Sequence, residues 1–443
     1  MRSSHMLDRI ATRFDDANLV AGAGLLLPAT LAEHLDLRAL FDRHVALGDS
    51  AGRAHPGDKA LSLILSALAG GDCIHDADAL RAGSSAATLG CAPAAPSTLG
   101  TFLRSFSWAH ARQLDRVSRD ALARAWAAGA GPREGPLTID LDSTICETYG
   151  LHKEGGSHFT YNHVRGYHPL LAVAAGTGDV LHSRLRGGPS HSGRGAASFL
   201  AETFARVRAA GASGPLTMRA DSGFYSSLVT RSCRRAGARF SITVKLYPGL
   251  QARIATIPEE AWVAIPYWQQ GGADVAEIGF TPFATEKDAR EVRLIVRRVR
   301  PAPGSQLALL TLYSYHAFIT DREGETLALE ADHRRHAEVE NTIRDLKYGV
   351  GLNHLPSGRF GANAAWLSLQ VIAHNLARWT ARLGLGAGII ATKTLRARFF
   401  SLPGRLARSA RQLLLHLPRR WPWAAQFDSA LAALRAISVP LTT

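Results

Sequence analysis

Cysteines are few in this chain, and their spacing does not match a ligand pattern. The 443 residues include four of them, and these are Cys73, Cys91, Cys146 and Cys233. Because none belongs to a Cys-x-x-Cys or Cys/His arrangement, the sequence excludes a zinc finger and a disulfide framework. No stretch reaches the roughly 18 uninterrupted apolar residues of a membrane helix, and Met1 to Asp8 lacks the apolar segment of a signal peptide. We expect a soluble cytoplasmic protein without a membrane partner.

Acidic residues are absent from one long segment. Lys plus Arg minus Asp plus Glu is 51 − 37 = +14, a balance that favours a polyanionic partner such as nucleic acid. Between Leu346 and Gln426 there is no Asp or Glu. The basic residues of this segment are Lys347, Arg359, Arg378, Arg382, Lys393, Arg396, Arg398, Arg405, Arg408, Arg411, Arg419 and Arg420. Because a solvated helical face usually mixes its signs, we expect most of the arginines to face phosphate.

The pattern of apolar residues divides the chain into five parts, and its length suggests about two to four domains. Residues 1–130 have helical spacing and predict a helical region. Residues 131–249 follow the order β-β-β-α-β-α-β, which is typical of α/β layering. Residues 250–328 predict a β-rich insertion, residues 329–385 return to the core as helix, and residues 386–443 predict a basic helical C-terminal region.

Two aspartates end strand-like segments. Asp142 closes the run Leu137-Thr-Ile-Asp-Leu-Asp, and Asp221 closes Leu216-Thr-Met-Arg-Ala-Asp. Since side chains alternate along a strand, Asp140 and Asp142 share one face, and either could act as a ligand. We prefer Asp142, because Ser143-Thr144 follow it and the chain can open there, and we expect a supporting role for Asp140. An aspartate at a strand end can also serve only the turn.

A third acid, Glu340, lies on a predicted helix. At about 100° per residue, it falls within about 40° of one line with His333, His336, Arg344 and Lys347. A separate apolar stripe on the same helix is suited to packing on the sheet. An ordinary surface helix would spread its Glu/Lys pairs around its circumference. One carboxylate among cations instead predicts a face that meets metal and phosphate together.

Asp142, Asp221 and Glu340 together predict a metal site. Magnesium prefers oxygen ligands in an octahedral shell, and carboxylates gathered from distant parts of a chain can hold two such ions for phosphoryl transfer. We therefore expect these three residues to be both catalytic and metal-binding.

Four motifs resemble those of bacterial insertion-sequence DDE transposases, in the cut-and-paste group with a β insertion before the glutamate. They are Asp142-Ser-Thr, Gly166-Tyr-His-Pro-Leu-Leu171, Arg219-Ala-Asp-Ser-Gly-Phe224 and Glu340-Asn341. Glu340 followed by Lys347 is similar to half of that group's tyrosine–arginine–glutamate–lysine signature, whereas His333 and His336 stand where the tyrosine and arginine would be. The similarity covers nearly the whole chain, and it implies that residues 1–130 bind DNA or mediate dimerisation. It implies an α/β fold with a ribonuclease-H-like mixed sheet, a β-rich insertion, a helical N-terminal domain and a helical C-terminal region.

The resemblance also implies an activity. A DDE transposase cleaves at insertion-sequence ends and joins the 3′-OH ends to target DNA, with Mg²⁺ or, as a substitute, Mn²⁺. The implied partners are double-stranded DNA, from the terminal inverted repeats and the target, and a second copy of the chain on that DNA, which would place the protein at the nucleoid. The expected DNA contacts are His333, His336, Arg344, Lys347, Arg359 and, by stacking on an extruded base, Trp262.

Two alternatives remain open at this point. One is a ribonuclease-H-like nuclease without strand transfer, and the other is a non-catalytic DNA-binding derivative. Trp262 also has a plainer interpretation, as an anchor for a small β subdomain.

Overall fold

The computed structural model of the protein describes residues 10–156, 158–160, 162–267, 271–301, 313–409 and 412–438. Within these ranges, no helix combines the length and apolar character that a bilayer crossing requires.

The N-terminal region is built mainly of helices, as predicted. After a short strand β1 (Leu19–Val20), its α-helices are α1 (Leu26–His34), α2 (Leu37–His44), α3 (Pro56–Ala69), α4 (Pro96–Arg104) and α5 (Trp108–Ala125). Proline opens α3 and α4, where its missing N–H has no helical partner to lose. Ser107 caps α5 by accepting a hydrogen bond from the backbone N–H of His110, which satisfies one of the free donors at the helix start.

A mixed sheet forms the centre of the molecule. Its first five strands in sequence are β2 (Leu137–Ser143), β5 (Leu170–Ala174), β6 (Val180–Arg184), β7 (Leu216–Ala220) and β8 (Arg239–Val244), with the short pair β3 (Cys146–Glu147) and β4 (Gly166–Tyr167) beside them. Strand β2 pairs antiparallel with β5 and parallel with β7, which in turn pairs parallel with β8. Helices α6 (Ala196–Ala209) and α7 (Ser227–Arg235) make the crossovers. This arrangement confirms the predicted α/β, ribonuclease-H-like class.

The β-rich insertion continues the same sheet. After helix α8 (Pro248–Ile254), its strands are β9 (Val263–Ile265), β10 (Ala273–Phe280), β11 (Val292–Val299) and β12 (Ser314–Thr320). Strand β12 pairs antiparallel with β8, and the full order is β6-β5-β2-β7-β8-β12-β11-β10-β9. The insertion is therefore anchored on the core strand β8 through backbone hydrogen bonds.

A continuous helical run follows the insertion. It consists of α9 (Thr326–Arg334), a 3₁₀ turn (Arg335–Glu338), α10 (Val339–Arg344) and a π turn (Asp345–Gly349). The next helix, α11 (Phe360–Trp379), is almost entirely buried and packs against α3, α4, α5 and β6. Helix α11 thus joins the N-terminal helices to the sheet.

The C-terminal region is helical only in part. Between α12 (Thr392–Leu395) and α13 (Ala424–Arg435) lies a hairpin of β13 (Gly404–Ser409) and β14 (Gln412–His416). Strand β13 also pairs with β1, so the N-terminal segment adds a third strand to this hairpin.

For three arginines of the acid-free segment, the expectation that they face phosphate is wrong, because they form hydrogen bonds within the protein. Arg378 donates to the buried Asp345 at 3.1 Å, and Arg382 donates to both oxygens of Asp179 at 3.0 and 2.9 Å. Arg396 donates to backbone carbonyls at the end of α3. A guanidinium carries five donors and suits such internal positions, so the run of positive charge overstates the basic surface. Arg411 lies outside the described residues.

Candidate active site

Asp142 is the second-last residue of β2 and lies next to the strand's open end. Its Oδ1 accepts a hydrogen bond from the N–H of Ser143 at 2.6 Å. Burial raises the pKa of the Asp142 carboxyl to about 6, and the negative charges of Asp221 and Glu340 contribute in the same direction, against Ser143 and His336. Two acids from distant parts of the chain, Asp221 and Glu340, therefore lie close enough to Asp142 to act on its carboxyl group.

The register of β2 and β7 explains why two of these acids meet. Leu141 pairs with Ala220 in the parallel ladder, and the residues that follow them are Asp142 and Asp221. Since parallel strands end at the same edge of a sheet, both aspartates leave the sheet side by side.

Asp221 is exposed and begins a single 3₁₀ turn. Its Oδ1 accepts a hydrogen bond from the N–H of Gly223 at 2.9 Å. A Cβ at Gly223 would lie 2.9 Å from the Cβ of Ser192 and 3.1 Å from Oδ1 of Asp221. The turn therefore needs glycine at this position, because a larger residue would push Asp221 or the neighbouring loop away.

Glu340 is on α10, which the helical run carries to the same region. Val339, Leu346 and Val350 are buried in the main hydrophobic core, so the predicted apolar stripe does face the interior. Glu340 is exposed, and within the described part of the chain it makes no hydrogen bond or ion pair.

The donor set formed by Asp142, Asp221 and Glu340 fits a divalent cation. Within the described ranges, Oδ2 of each aspartate accepts no hydrogen bond, so every acid retains an open oxygen. Their mutual repulsion contributes to the raised pKa of Asp142, and a bound cation would remove that repulsion. The ligand oxygens of the three are not all within 4.8 Å of one another.

Two other groups of possible ligand residues are more compact. Asp72, Cys73 and Asp76 form one, and Asp115, His182 and Glu202 form the other. In the first group Asp76 caps a turn by accepting from the backbone. In the second, arginines already pair with Asp115 and Glu202. Both sets of acids are thus engaged in the protein's own contacts.

Lys347 and Arg344 lie close to the acids along the chain. Lys347 donates from Nζ to the carbonyl oxygen of Ile145 at 2.7 Å, three residues beyond Asp142. Arg344 is exposed one turn after Glu340. Arg359 is also exposed, at the start of α11, where its Nη1 donates to the carbonyl oxygen of Arg104 at 3.2 Å.

His333 does not have the surroundings of a phosphate ligand, and this prediction needs correction. Its Nδ1 lies 2.8 Å from Oγ of Ser241 and its Nε2 lies 3.0 Å from Oγ1 of Thr243. The ring stacks on Phe318 with 4.0 Å between centroids, and burial lowers the pKa of His333 to about 3. His333 leaves the predicted helical face because a 3₁₀ turn follows it. A 3₁₀ helix advances about 120° per residue, whereas an α-helix advances about 100°. Glu340 and His333 therefore occupy different faces.

His336 is bonded within the protein as well. Its Nδ1 lies 2.9 Å from Oδ1 of Asp140. Asp140 also accepts two hydrogen bonds from Arg219, at 2.8 and 2.9 Å. Both carboxylate oxygens of Asp140 are therefore occupied, which makes it a poor metal ligand beside Asp142. The sequence contained a signal for the contact between Asp140 and Arg219. Arg219 stands two residues before Asp221, just as Asp140 stands two residues before Asp142.

Trp262 is half-buried at the start of the insertion's sheet. The guanidinium of Arg298 covers its ring at 4.4 Å, and Tyr315 lies beside it with 6.2 Å between centroids. Arg298 is itself held by Glu259 and Asp274. These contacts agree better with an anchor than with a free stacking platform.

The loop between β6 and α6 was not assigned a role from sequence. Arg186 is buried and donates to the carbonyl oxygens of His168, Ser192 and Arg194 at 2.8 to 3.0 Å. His168 lies 2.9 Å from Oγ of Ser143. The loop is thereby connected, through His168, to the strand end that carries Asp142.

The fold and the site define a class. A ribonuclease-H-like sheet with two aspartates at one edge and a glutamate on a late helix is the arrangement of DDE phosphoryl-transfer enzymes. A family model described as "Transposase DDE domain group 1" matches residues 3–439. The chain belongs to that family and is a DNA transposase, in a class that generally uses divalent metal ions.

The comparison with solved structures found a similar protein. The cryo-EM structure of the piggyBac transposase synaptic complex with hairpin DNA is similar with a TM-score of 0.45 and 10% sequence identity, over 86% of this chain and 80% of that one. The comparison with curated proteins gave no match.

Proposed function

We propose that this transposase cuts DNA at the ends of its own element and joins the freed 3′-OH ends to target DNA, and that Mg²⁺ is its metal. The observation that carries the proposal is the placement of Asp142 and Asp221 at adjacent strand ends, with Glu340 close enough for its charge to add to the pKa of Asp142, which burial raises most. Among the described residues, no lysine or arginine forms an ion pair with any of the three acids, which suits a site that binds divalent cations.

Asp142, Asp221 and Glu340 would hold the metal ions. When bound, the ions would activate the attacking oxygen and neutralise charge on the scissile phosphate. Lys347 and Arg344 would orient that phosphate, since both lie within seven residues of Glu340 on the same helical run. Cleavage and joining are the same in-line phosphodiester chemistry, so one set of residues serves both steps.

A cavity beside Glu340 supports DNA entry at this edge. It has a volume of about 410 Å³, and its lining includes Arg297, Arg334, His316 and His336. Glu330 partly neutralises the positive charge of this lining, because it forms ion pairs with both Arg297 and Arg334. Arg344 and Arg359 add exposed positive charge nearby in sequence. With the net charge of +14, these features favour double-stranded DNA, both element ends and target, as the partner. Because two ends must be held together, we propose a homodimer on DNA.

One assay separates this function from its alternatives. Purified protein is incubated with a duplex that carries its element's terminal inverted repeat and with a target plasmid, with Mg²⁺, with Mn²⁺ and without metal. Joined strands support the transposition proposal. Nicks alone indicate a nuclease without strand transfer, and bound but intact DNA indicates a non-catalytic derivative.

A further inference from the structure

Beneath the three candidate catalytic acids lies a second group of three side chains, Asp140, Arg219 and His336, which we call the inner cluster. Arg219 donates from Nε and Nη2 to the two oxygens of Asp140, at 2.8 and 2.9 Å, and Nδ1 of His336 lies 2.9 Å from Oδ1 of Asp140. The side chains of Arg219, Asp140 and His336 are 1%, 2% and 14% exposed. Asp140 and Arg219 are thus buried and bonded to each other, and His336 reaches them from the lining of the cavity beside Glu340.

Each member of the inner cluster precedes one acid by two or four residues along the chain. Asp140 stands two residues before Asp142, and two residues on a strand bring side chains to the same face. Arg219 has the same relationship to Asp221, which follows the end of β7.

His336 completes the pattern on the helical run. It stands four residues before Glu340, and the run between them is a 3₁₀ turn followed by α10. In the β2–β7 ladder, Asp140 is paired directly with Arg219. The bonds of the inner cluster therefore join β2, β7 and the late helical run, two to four residues before the acids.

The contacts of Arg219 extend this connection further into the late helix. Its Nη1 donates to the carbonyl oxygen of Asp332 and, at 3.1 Å, to Oδ1 of the same residue. Arg322 also pairs with Asp332. One guanidinium consequently holds β2 through Asp140 and α9 through Asp332.

We propose that Asp140, Arg219 and His336 are positioning residues that set the separation of Asp142, Asp221 and Glu340, and so the affinity of the site for divalent cations. This proposal rests on the proposed function. It assigns the Nδ1 side of His336 to Asp140 in place of a DNA phosphate. No member of the inner cluster needs to touch metal or substrate to act in this way, because outer groups that orient ligands tune a metal site through them.

His336 is the member suited to a test, because removing Asp140 or Arg219 would leave a buried charge without its partner. Asparagine at this position places its amide nitrogen where Nδ1 of histidine lies and can still donate to Asp140. Glutamine keeps the polarity but extends its amide by one methylene, and alanine removes the bond. The series His336→Asn, His336→Gln and His336→Ala therefore separates the bond from the bulk of the ring.

The experiment measures Mn²⁺ binding to the full-length protein without DNA, using the electron paramagnetic resonance signal of the Mn²⁺ that remains free. Asp142→Ala is the reference for loss of the site. We expect His336→Ala to weaken Mn²⁺ binding by about tenfold or more, and His336→Asn to restore most of it. Affinity for the element-end duplex should stay within about twofold in all variants, since no phosphate contact is lost.

Other results overturn the proposal. If His336→Ala binds Mn²⁺ as the wild type does, or loses DNA affinity while keeping Mn²⁺ affinity, His336 does not act through the acids. If the alanine variant does not fold, the comparison of His336→Asn with His336→Gln decides, and equal Mn²⁺ affinities contradict the positioning role. If the wild type shows no Mn²⁺ binding that Asp142→Ala removes, the proposed function fails, and this proposal fails with it.

Discussion

Lys347 donates a hydrogen bond from Nζ to the carbonyl oxygen of Ile145, with 2.7 Å between the two atoms. This bond connects the π turn at the end of the late helical run to the segment that leaves β2 just after Asp142. It holds the helix that carries Glu340 over the open end of the strand that carries Asp142.

Lys347→Met should therefore slow cleavage by roughly tenfold or more, since small displacements of reacting groups have large effects on rate. DNA affinity should fall only slightly, because a single phosphate contact is lost at most. Single-turnover cleavage with saturating duplex measures the rate, and Lys393→Met serves as a control from the same acid-free segment. An unchanged cleavage rate in Lys347→Met would contradict a role for Lys347 at the site.

Asp142 gives a prediction about pH and stability. Its pKa is about 6 in the metal-free fold and about 3.9 in an unfolded chain. The folded state therefore holds this proton more tightly, and the contribution of Asp142 to stability falls as pH rises from about 4 to about 6. Without metal, Asp142→Asn should be more stable than the wild type at pH 7.5, by on the order of 1–3 kcal/mol, and the gain should vanish near pH 4.

Added Mg²⁺ should reverse this order. A cation that binds only the folded state raises the melting temperature of the wild type, whereas Asp142→Asn lacks one of the proposed ligands and should respond weakly. Thermal melts at pH 7.5 and pH 4, with and without Mg²⁺, test both statements. Equal responses of the two proteins to Mg²⁺ would remove Asp142 from the metal site.

His333 titrates in the opposite sense. Burial lowers its pKa to about 3, so the folded protein keeps it neutral while the unfolded chain takes up a proton below about pH 6.5. This contribution to stability is present above pH 6.5 and is lost as pH falls towards 3. Between pH 7 and pH 4.5 the wild type should lose about 2–3 kcal/mol more than His333→Gln, as measured by urea unfolding.

DNA binding provides a second readout for His333. Because both ring nitrogens are bonded to Ser241 and Thr243, His333→Gln should bind the element-end duplex within about twofold of the wild type at pH 7.5 and low salt. A large loss of affinity with unchanged stability would restore His333 to the DNA interface.

Trp262→Ala should lower the stability of the whole protein and should not impair one reaction step selectively. The ring packs under Arg298 and beside Tyr315, so truncation should lower the unfolding free energy by about 1–3 kcal/mol. Nicking and all later products should decrease together. Normal nicking with selective loss of a later product would instead show that Trp262 contacts DNA after the first cut.

Local patterns in the sequence were sufficient for the main elements of the fold. Period-2 alternation located β2 and β7, and the aspartates that end them were recognised as a pair. The apolar stripe of Val339, Leu346 and Val350 predicted the buried side of the late helix correctly. These features depend on neighbouring residues, which is why a single sequence reveals them.

The features that were missed depend on partners far away in the chain. His336 and Asp140 are 196 residues apart, and only their packing shows that Nδ1 of His336 faces Asp140. Arg378 and Arg382 looked like surface cations because their acids, Asp345 and Asp179, do not share their segment. The 3₁₀ turn that rotates His333 away from Glu340 leaves no clear mark in composition. Tertiary pairing decided each of these cases.

The most direct test compares three variants with one matched control in metal-dependent cleavage of the element-end duplex. Asp142→Ala, Asp221→Ala and Glu340→Ala should each abolish cleavage with Mg²⁺ while still binding the duplex. Glu338→Ala, an exposed acid two residues from Glu340 on the same helical run, should cleave as the wild type does. Full cleavage by any of the first three variants would contradict the assignment of these acids as the catalytic site.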